Sequence, residues 1–555
     1  MKRSIIIISC ILGFLTSLVL MAVSYLANLV FSLPFLPFDL FDKLTRILPG
    51  RLVSIGTQAM DWVINAFHLG TTDTTAKMAG QIQALGLILV IGIVLGFGLG
   101  WISLRGKTWL LRSALIVGFI FSVAMVIVEI TIPHSPSSTL IGSIWLFVLI
   151  EGWSLWLYLL INKLTAQGEK LQPEKKFTAQ IMSEPMTRRN FLIVAWSSLA
   201  SFGLLLIGSY NKHPVASAVT TPGPGVTEVP VPIISIPYGP EYTSGLATSP
   251  SLDSLNSRLA AAPGTNDEIT SVDNFYRVDI NLEPPKVDVG TWRLNINGLV
   301  QNPISLSLAD IVAFPAVSQA ITLACISNLV GGSLIGTDYW TGVPLRVILN
   351  EIGLQPGANA VSIRAVDSFN ESLSLAEAMD ERTLLVYAMN GQALTQDHGA
   401  PLRIYIPGHY GMKQPKWITE LAVTSQVTNG YWENLGWSKT AIPQTTSRID
   451  TRTVDTSLLA SQGRIPLGGY AWAGARTIEK VELQFGDSTW VEAELRNPPV
   501  SPLTWVQWRY DWKPTPGSYQ VKVRATDGNG NFQEAVNQDP FPEGATGFDV
   551  VNYQI

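Results

Sequence analysis

A helical membrane region followed by a mixed α+β domain and then an all-β domain is the fold class this sequence predicts. Three observations carry it. The 555 residues are 47% hydrophobic and only 14% charged, where an average soluble protein is about 25% charged, and the mean hydropathy is +0.26. The apolar residues are concentrated before Tyr210. Beyond them, short β-like runs first alternate with helical stretches and then stand alone.

A helix needs ~20 apolar residues to cross a bilayer. Five segments reach that length: Ser4–Leu29, Ile82–Leu104, Leu110–Ile130, Leu140–Ile161 and Phe191–Tyr210. The first follows Met1-Lys2-Arg3, as a signal peptide would. Its apolar run is too long and lacks a clear small-residue cleavage site, so it reads as a retained span. Arg105, Lys107 and Arg112 separate the second and third spans. Lys163, Lys170, Lys175, Lys176, Arg188 and Arg189 separate the fourth and fifth, whereas the loop around Pro133-His134-Ser135-Pro136 has no Lys or Arg. Positive charge stays on the cytoplasmic side. The N-terminus is therefore expected inside, and everything after Tyr210 outside a bacterial-type cytoplasmic membrane. Residues 1–162 are expected to form a four-span region and residues 163–210 a cytoplasmic loop with the fifth span. In that loop Thr187-Arg188-Arg189-Asn190-Phe191-Leu192 reads either as a positive-inside anchor or as a twin-arginine export signal, the route for folded, cofactor-loaded proteins.

Residues 211–270 are rich in Pro, Gly, Ser and Thr and read as an extended tether. From 271 to 448, strands are expected at Trp292–Ile296, Ala320–Leu323, Val361–Ala365, Leu402–Ile406 and Leu421–Thr424. Helices are expected at Leu308–Phe314, Leu345–Ile352 and Leu375–Met379. From 449 to 555 strands alone are expected: Gly468–Trp472, Ile478–Gly486, Trp490–Leu495, Thr504–Trp512 and Gly517–Thr526. Their spacing and turn signals suggest an immunoglobulin-like β-sandwich.

The net charge of -5 leaves no basic surface for nucleic acid. Cys10 and Cys325 are the only cysteines, too few for a disulfide scaffold. Cys325 lies where a β-like run gives way to a polar loop. Alone it reads as a small buried hydrophobe, or as a soft metal ligand or nucleophile. Neither CxxC nor HExxH occurs, so zinc and iron–sulfur centres are disfavoured. One thiolate holds a metal only if another group supplies the remaining donors.

Two blocks bear on that point. Leu323-Ala324-Cys325-Ile326-Ser327-Asn328, with Gly331-Gly332 and Tyr339-Trp340-Thr341-Gly342-Val343-Pro344-Leu345, resembles the cysteine loop of the sulfite oxidase family. Asp397-His398-Gly399-Ala400-Pro401-Leu402-Arg403, with Pro407-Gly408-His409-Tyr410-Gly411-Met412-Lys413-Gln414-Pro415-Lys416-Trp417, resembles that family's second block, and Asn274-Phe275-Tyr276-Arg277 its N-terminal pterin-contact segment. The likeness covers residues 271–448 as a molybdopterin-binding oxidoreductase domain and extends over 449–555, which the family uses for dimerisation. It implies a molybdenum–molybdopterin cofactor whose dithiolene supplies two sulfurs to the metal and Cys325 a third. The resemblance implies a phosphate held by Arg403, Lys416 and the backbone of Gln414 and Pro415. It implies further pterin contacts from His398, Tyr276 and Arg277, with Asp367 carried over on spacing alone. Arg277 is also the surviving candidate for a catalytic anion contact. Sulfite-oxidising members carry arginines after the cysteine loop and a tyrosine downstream. Here Asn328-Leu329-Val330 and Trp437 occupy those places, which argues against sulfite as the preferred substrate.

The expected function is therefore a membrane-anchored molybdenum oxidoreductase catalysing two-electron oxygen-atom transfer outside the membrane, on a small oxo-acceptor or oxo-donor. No C-x-x-C-H occurs, and His68, His134 and His213 fall in loops or at span ends. Electrons are thus expected to pass to or from an external cytochrome or quinone-linked partner, and a homodimer to form through the last domain. The rival reading is a cofactor-free membrane-anchored binding or adhesion protein on the same scaffold.

Overall fold

The computed structural model describes residues 2–31, 33–49, 51–52, 55, 72–131, 139–170, 255 and 257–555. The chain divides into two compact units, Met1–Ile47 with Lys77–Glu228, and Leu48–Ala76 with Val229–Ile555.

In the first unit, four helices among the described residues are long and apolar enough to cross a membrane: Arg3–Phe31, Gly80–Ser103, Thr108–Ile130 and Leu140–Ala166. They coincide with the first four expected spans. The fifth, the paired arginines before it and most of the tether lie outside the described residues. The fourth helix continues to Lys170, so the segment expected to be cytoplasmic loop from residue 163 begins as helix. Small residues set the closest helix approach. A Cβ added to Gly96 would lie 2.2 Å from the Ser9 carbonyl oxygen, the close contact that Gly at four-residue spacing allows in membranes. Buried polar groups find partners across the bundle: Trp153 Nε1 donates to Thr16 Oγ1 (3.1 Å) and Ser154 Oγ to the Ala114 carbonyl (2.7 Å). A short helix not expected from the sequence, Leu36–Ile47, carries an Asp42–Arg46 ion pair one turn apart.

Among its described residues the second unit holds four sheets. One runs in the order Ile304–Leu306, Leu294–Gly298, Ile418–Thr424, Ala360–Ala365, Asn370–Ser374, with the second and third strands parallel and the others antiparallel. In the next, Val317–Ala324, Ile335–Pro344 and Leu384–Met389 are antiparallel neighbours, and Arg403–Tyr405 pairs with the last of them. Apolar side chains from both sheets, among them Val361, Leu385, Ile404 and Leu421, fill a common core. Leu384–Met389 is a continuous apolar run with every residue buried, as expected of a strand covered on both faces.

The other two sheets are four-stranded and antiparallel within each pairing. One contains Thr446–Ile449, Ile465–Trp472, Val506–Trp512 and Glu494–Leu495; the other contains Val491–Glu492, Ile478–Phe485, Ser518–Asp527 and Asp549–Gln554. Residues of both, including Leu467, Trp508, Val481 and Val521, share one core. The expectation of strands alone here needs correction, because Thr456–Gln462 is a helix. Asp455 caps it by accepting from the Ser457 and Leu458 amides, and Gly463 ends it at φ 63.

Candidate active site

The pairing of Val317–Ala324 with Ile335–Pro344 ends at Ala324↔Ile335, and Cys325 is the next residue. Its amide donates to the Leu334 carbonyl (2.9 Å), and the Leu334 amide donates to Asn328 Oδ1 (2.8 Å). These bonds close the cysteine loop on itself. The far side is closed by Arg448, which donates to the Gly332 carbonyl at 2.9 Å, and by Asp549, beside which Gly331, at φ 72, leaves no room for a Cβ. The thiol is buried, with Sγ 3.0 Å from Ser327 Oγ.

Cys325 opens onto a cavity of about 190 Å³. Tyr276, Asp367, His398, Arg403, Gln414, Pro415 and Lys416 line it too, so eight of the nine residues singled out in the sequence share one wall system. Arg277 is the exception. It does not line the cavity, and it pairs with Asp397 at 2.7 Å while remaining partly exposed.

Each lining group is held by identifiable partners. Arg403 enters on a strand facing Val386, lies 4.9 Å over the Trp340 ring and donates to the His398 carbonyl (3.2 Å). Burial lowers its guanidinium to about 10, and Tyr276 opposes this. Lys416 donates to Asp279 Oδ2 (2.8 Å) and the Asp397 carbonyl (2.9 Å). His398 Nε2 lies 3.1 Å from the Val272 carbonyl, which assigns the ring proton to Nε2. Burial, with Arg403 and Lys416 nearby, lowers this imidazole to about 4, so it is neutral at pH 7. Burial also pushes the Tyr276 hydroxyl far up, and the nearby Cys325 adds to that shift. Asp367 accepts from Phe369 N and Asn281 Nδ2. The Gln414 amide is spent on both backbone groups of Ile406, and the Pro415 carbonyl accepts from Ile404 N. Any part these two play toward a ligand therefore falls to the backbone they position.

Asp279, Phe369 and Trp432 also line the cavity and escaped sequence reasoning, since none lies in a motif that points to chemistry; Met412 lies in the second block but as an apolar residue it gave no signal. Among the described residues, no three His, Cys, Asp or Glu side chains are grouped to hold a metal. One buried thiol beside two cations and a neutral imidazole therefore suits a metal whose other donors arrive on an anionic organic carrier.

The family profile of the oxidoreductase molybdopterin binding domain matches residues 281–432, a stretch that contains Cys325, Asp367, His398, Arg403 and Lys416. Sulfite oxidase of Arabidopsis thaliana is 28% identical over 313 residues, 47% of this chain and 79% of that protein. The uncharacterized oxidoreductase YuiH of Bacillus subtilis is 32% identical over 187 residues, 34% of this chain and 91% of that protein. This chain belongs to the sulfite oxidase family. Mitochondrial sulfite oxidase of Rattus norvegicus is 30% identical over 276 residues, and the match takes in 41% of this chain and 50% of that protein. Membership in this family brings with it a molybdenum–molybdopterin cofactor, and the donor set around Cys325 fits that group.

Proposed function

We propose that the chain is a membrane-anchored molybdenum oxidoreductase in which Cys325 supplies the protein's thiolate to the metal. The observation that carries this reading is the convergence of Cys325, His398, Arg403 and Lys416 on one cavity. When bound, the cofactor supplies the two-electron, oxygen-atom-transfer chemistry. The chain's own residues bind and orient it. Arg403 and Lys416 hold the terminal phosphate by charge-assisted donation. His398 offers its unprotonated Nδ1 as an acceptor, Tyr276 a hydroxyl that stays protonated, and Asp367 a carboxylate to ring donors. The backbones of Gln414 and Pro415 complete the cradle. Arg277 acts outside the cavity, orienting Asp397 and through it the Asp397 carbonyl that receives Lys416.

In this reading the four apolar helices and a fifth span at 191–210 anchor the enzyme, residues 211–270 tether it, and 271–448 carry the cofactor outside the cytoplasmic membrane. Residues 449–555 form an immunoglobulin-like domain that packs Asp549 against the cysteine loop and offers a dimer face. The pair Arg188-Arg189 serves as a twin-arginine signal, and an external cytochrome or quinone-linked carrier exchanges the electrons. A cofactor-free adhesion protein has no need of a buried thiol and two cations in one cavity. Elemental and pterin analysis of the purified chain tests the proposal. Molybdenum and pterin are expected in equal amounts, stoichiometric with the chain. Their absence after expression in a host that makes the cofactor would contradict it.

A further inference from the structure

Outside the cavity, carboxylates gather in the bundle of apolar helices, and their meaning rests on the reading of those helices as membrane spans. Thr108–Ile130 and Leu140–Ala166 run antiparallel along a shared seam. A Cβ added to Gly118 would lie 2.7 Å from Glu151 Oε2, and one added to Gly142 2.8 Å from Glu129 Oε1. Each glycine thus admits a carboxylate from the opposite helix. Glu129 is 1% exposed and Glu151 is half-buried. Ionisable side chains inside a membrane are expensive, and they mark ion and proton routes.

Further polar groups of these two helices fall on the same seam. Gly118, Ser122 and Glu129 follow one another at four and seven residues, which places them on one helix face. Ser122, between the two carboxylate levels, is 0% exposed, and its Oγ has no hydrogen-bond partner among the described residues. It lacks even the carbonyl one turn back that serves Ser17 and Thr165. On the facing helix Glu151, Ser154, Tyr158, Asn162 and Thr165 recur every three or four residues. Ser154 Oγ donates across the seam to the Ala114 carbonyl (2.7 Å), and Tyr158 packs against the cluster that holds Leu110 and Ala114. Asn162 Oδ1 is buried without a partner among the described residues. The row from Gly118 to Glu129 rises about 16 Å in one direction, and that from Glu151 to Thr165 about 21 Å in the other. Together they exceed the ~30 Å of a hydrocarbon core.

A hard metal cation needs several oxygens converging on one point. These groups are instead strung out along the seam, and among the described residues no three His, Cys, Asp or Glu side chains are grouped. A proton needs only carriers in series. We propose that the seam passes protons across the membrane, with Glu129 and Glu151 as its stations. Each carboxylate takes a proton from one side and gives it up on the other. The hydroxyls of Ser122, Ser154 and Tyr158 accept one proton as they release another, and water bridges the longer step from Ser122 to Glu129. Only O–H bonds form and break, and no electron moves.

The test places the full chain in liposomes that enclose a pH-sensitive dye, with a potassium gradient and valinomycin to set the potential. Wild type is expected to pass protons down that potential. Glu151→Gln has nearly the same shape and cannot take up a proton, so the flux is expected to be lost. Glu151→Asp keeps a carboxyl and is expected to recover part of it, which separates proton carriage from a packing defect. Dicyclohexylcarbodiimide, which attacks protonated carboxyls in apolar surroundings, is expected to label Glu151 and stop the flux. Inserted wild type with no flux above protein-free liposomes, or an undiminished flux in Glu151→Gln, overturns the proton path. So does a flux carried by sodium at matched pH. A chain that alkaline carbonate washes off the liposomes would instead overturn the membrane reading itself.

Discussion

Replacing Lys413 with methionine removes the one cation from a buried cluster that contains two carboxylates. Lys413 Nζ lies 2.9 Å from Glu371 Oε1 and also contacts Glu433, and the three side chains are 8%, 0% and 3% exposed. They come from the helical turn Gly411–Lys413, the strand Asn370–Ser374 and the helix Tyr431–Asn434. Their neighbours Met412, Gln414, Phe369 and Trp432 line the cavity, so this ionic cluster ties three of its walls together. Breaking a buried ion pair by deleting one partner costs about 3–5 kcal/mol. With two carboxylates left facing each other, the upper end is expected.

The loss depends on pH in a defined direction. Burial pushes Glu371 from 4.5 up to about 7, against the opposing pull of Lys413. A carboxyl raised in the folded state contributes stability that is present below 4.5 and lost as pH rises through about 7. Without the lysine, Glu371 takes its proton at still higher pH, so the deficit is smaller at about pH 5 than at about pH 8. Urea unfolding of the detergent-purified chain, read by tryptophan fluorescence, measures it. At about 3 kcal/mol per molar, the midpoint should fall by about 1–2 M. Adding Glu371→Gln to Lys413→Met should restore about 1–3 kcal/mol. A single variant within about 0.5 kcal/mol of wild type, a size typical of neutral surface changes, would refute the reasoning. So would a deficit that Glu371→Gln leaves untouched.

Two further outcomes follow from the same geometry and a third from the sequence alone. Arg403→Ala loses a charge-assisted contact of about 1.5–3 kcal/mol, and dialysis should strip its pterin about ten- to hundredfold more readily by the same arithmetic; full retention would exclude the phosphate role. Gly331→Ala places a Cβ 2.6 Å from Asp549 Oδ1 at φ 72 and should cost about 1–3 kcal/mol, with lower molybdenum occupancy because the cysteine loop shifts. Arg188→Lys with Arg189→Lys preserves charge, so a positive-inside anchor would tolerate it; a twin-arginine signal would not, and protease protection in spheroplasts should then show the catalytic half stranded inside.

Local signals made the first four spans and most strands of the second unit readable in the sequence, within a few residues at the ends. Leu345–Ile352 emerged at its expected bounds because its apolar residues Leu345, Ile348, Leu349 and Ile352 repeat at helical spacing and are all buried. Leu36–Ile47 did not, since it is too short for a span and Asp39, Asp42, Lys43 and Arg46 interrupt its apolar run. Thr456–Gln462 was hidden by a pattern dominated by alternating strands, although Asp455 and Gly463 bracket it as caps. In the site, Cys325, His398, Arg403 and Lys416 were legible because they sit in two compact blocks. The pairing of Arg277 with Asp397, and of Lys413 with Glu371 and Glu433, spans distances along the chain that no local pattern encodes. Those contacts decide which charges remain to face a ligand.

The central claim is that Cys325 is a ligand of a pterin-bound molybdenum ion. Molybdenum K-edge X-ray absorption on the loaded wild type and on Cys325→Ser measures it directly. The serine hydroxyl is a harder donor that stays protonated near neutral pH, so it does not replace a thiolate. The variant is expected to retain pterin through Arg403 and Lys416 while its metal shows one sulfur scatterer fewer and turnover is lost. A variant with the same sulfur count and the same activity as wild type would contradict the account.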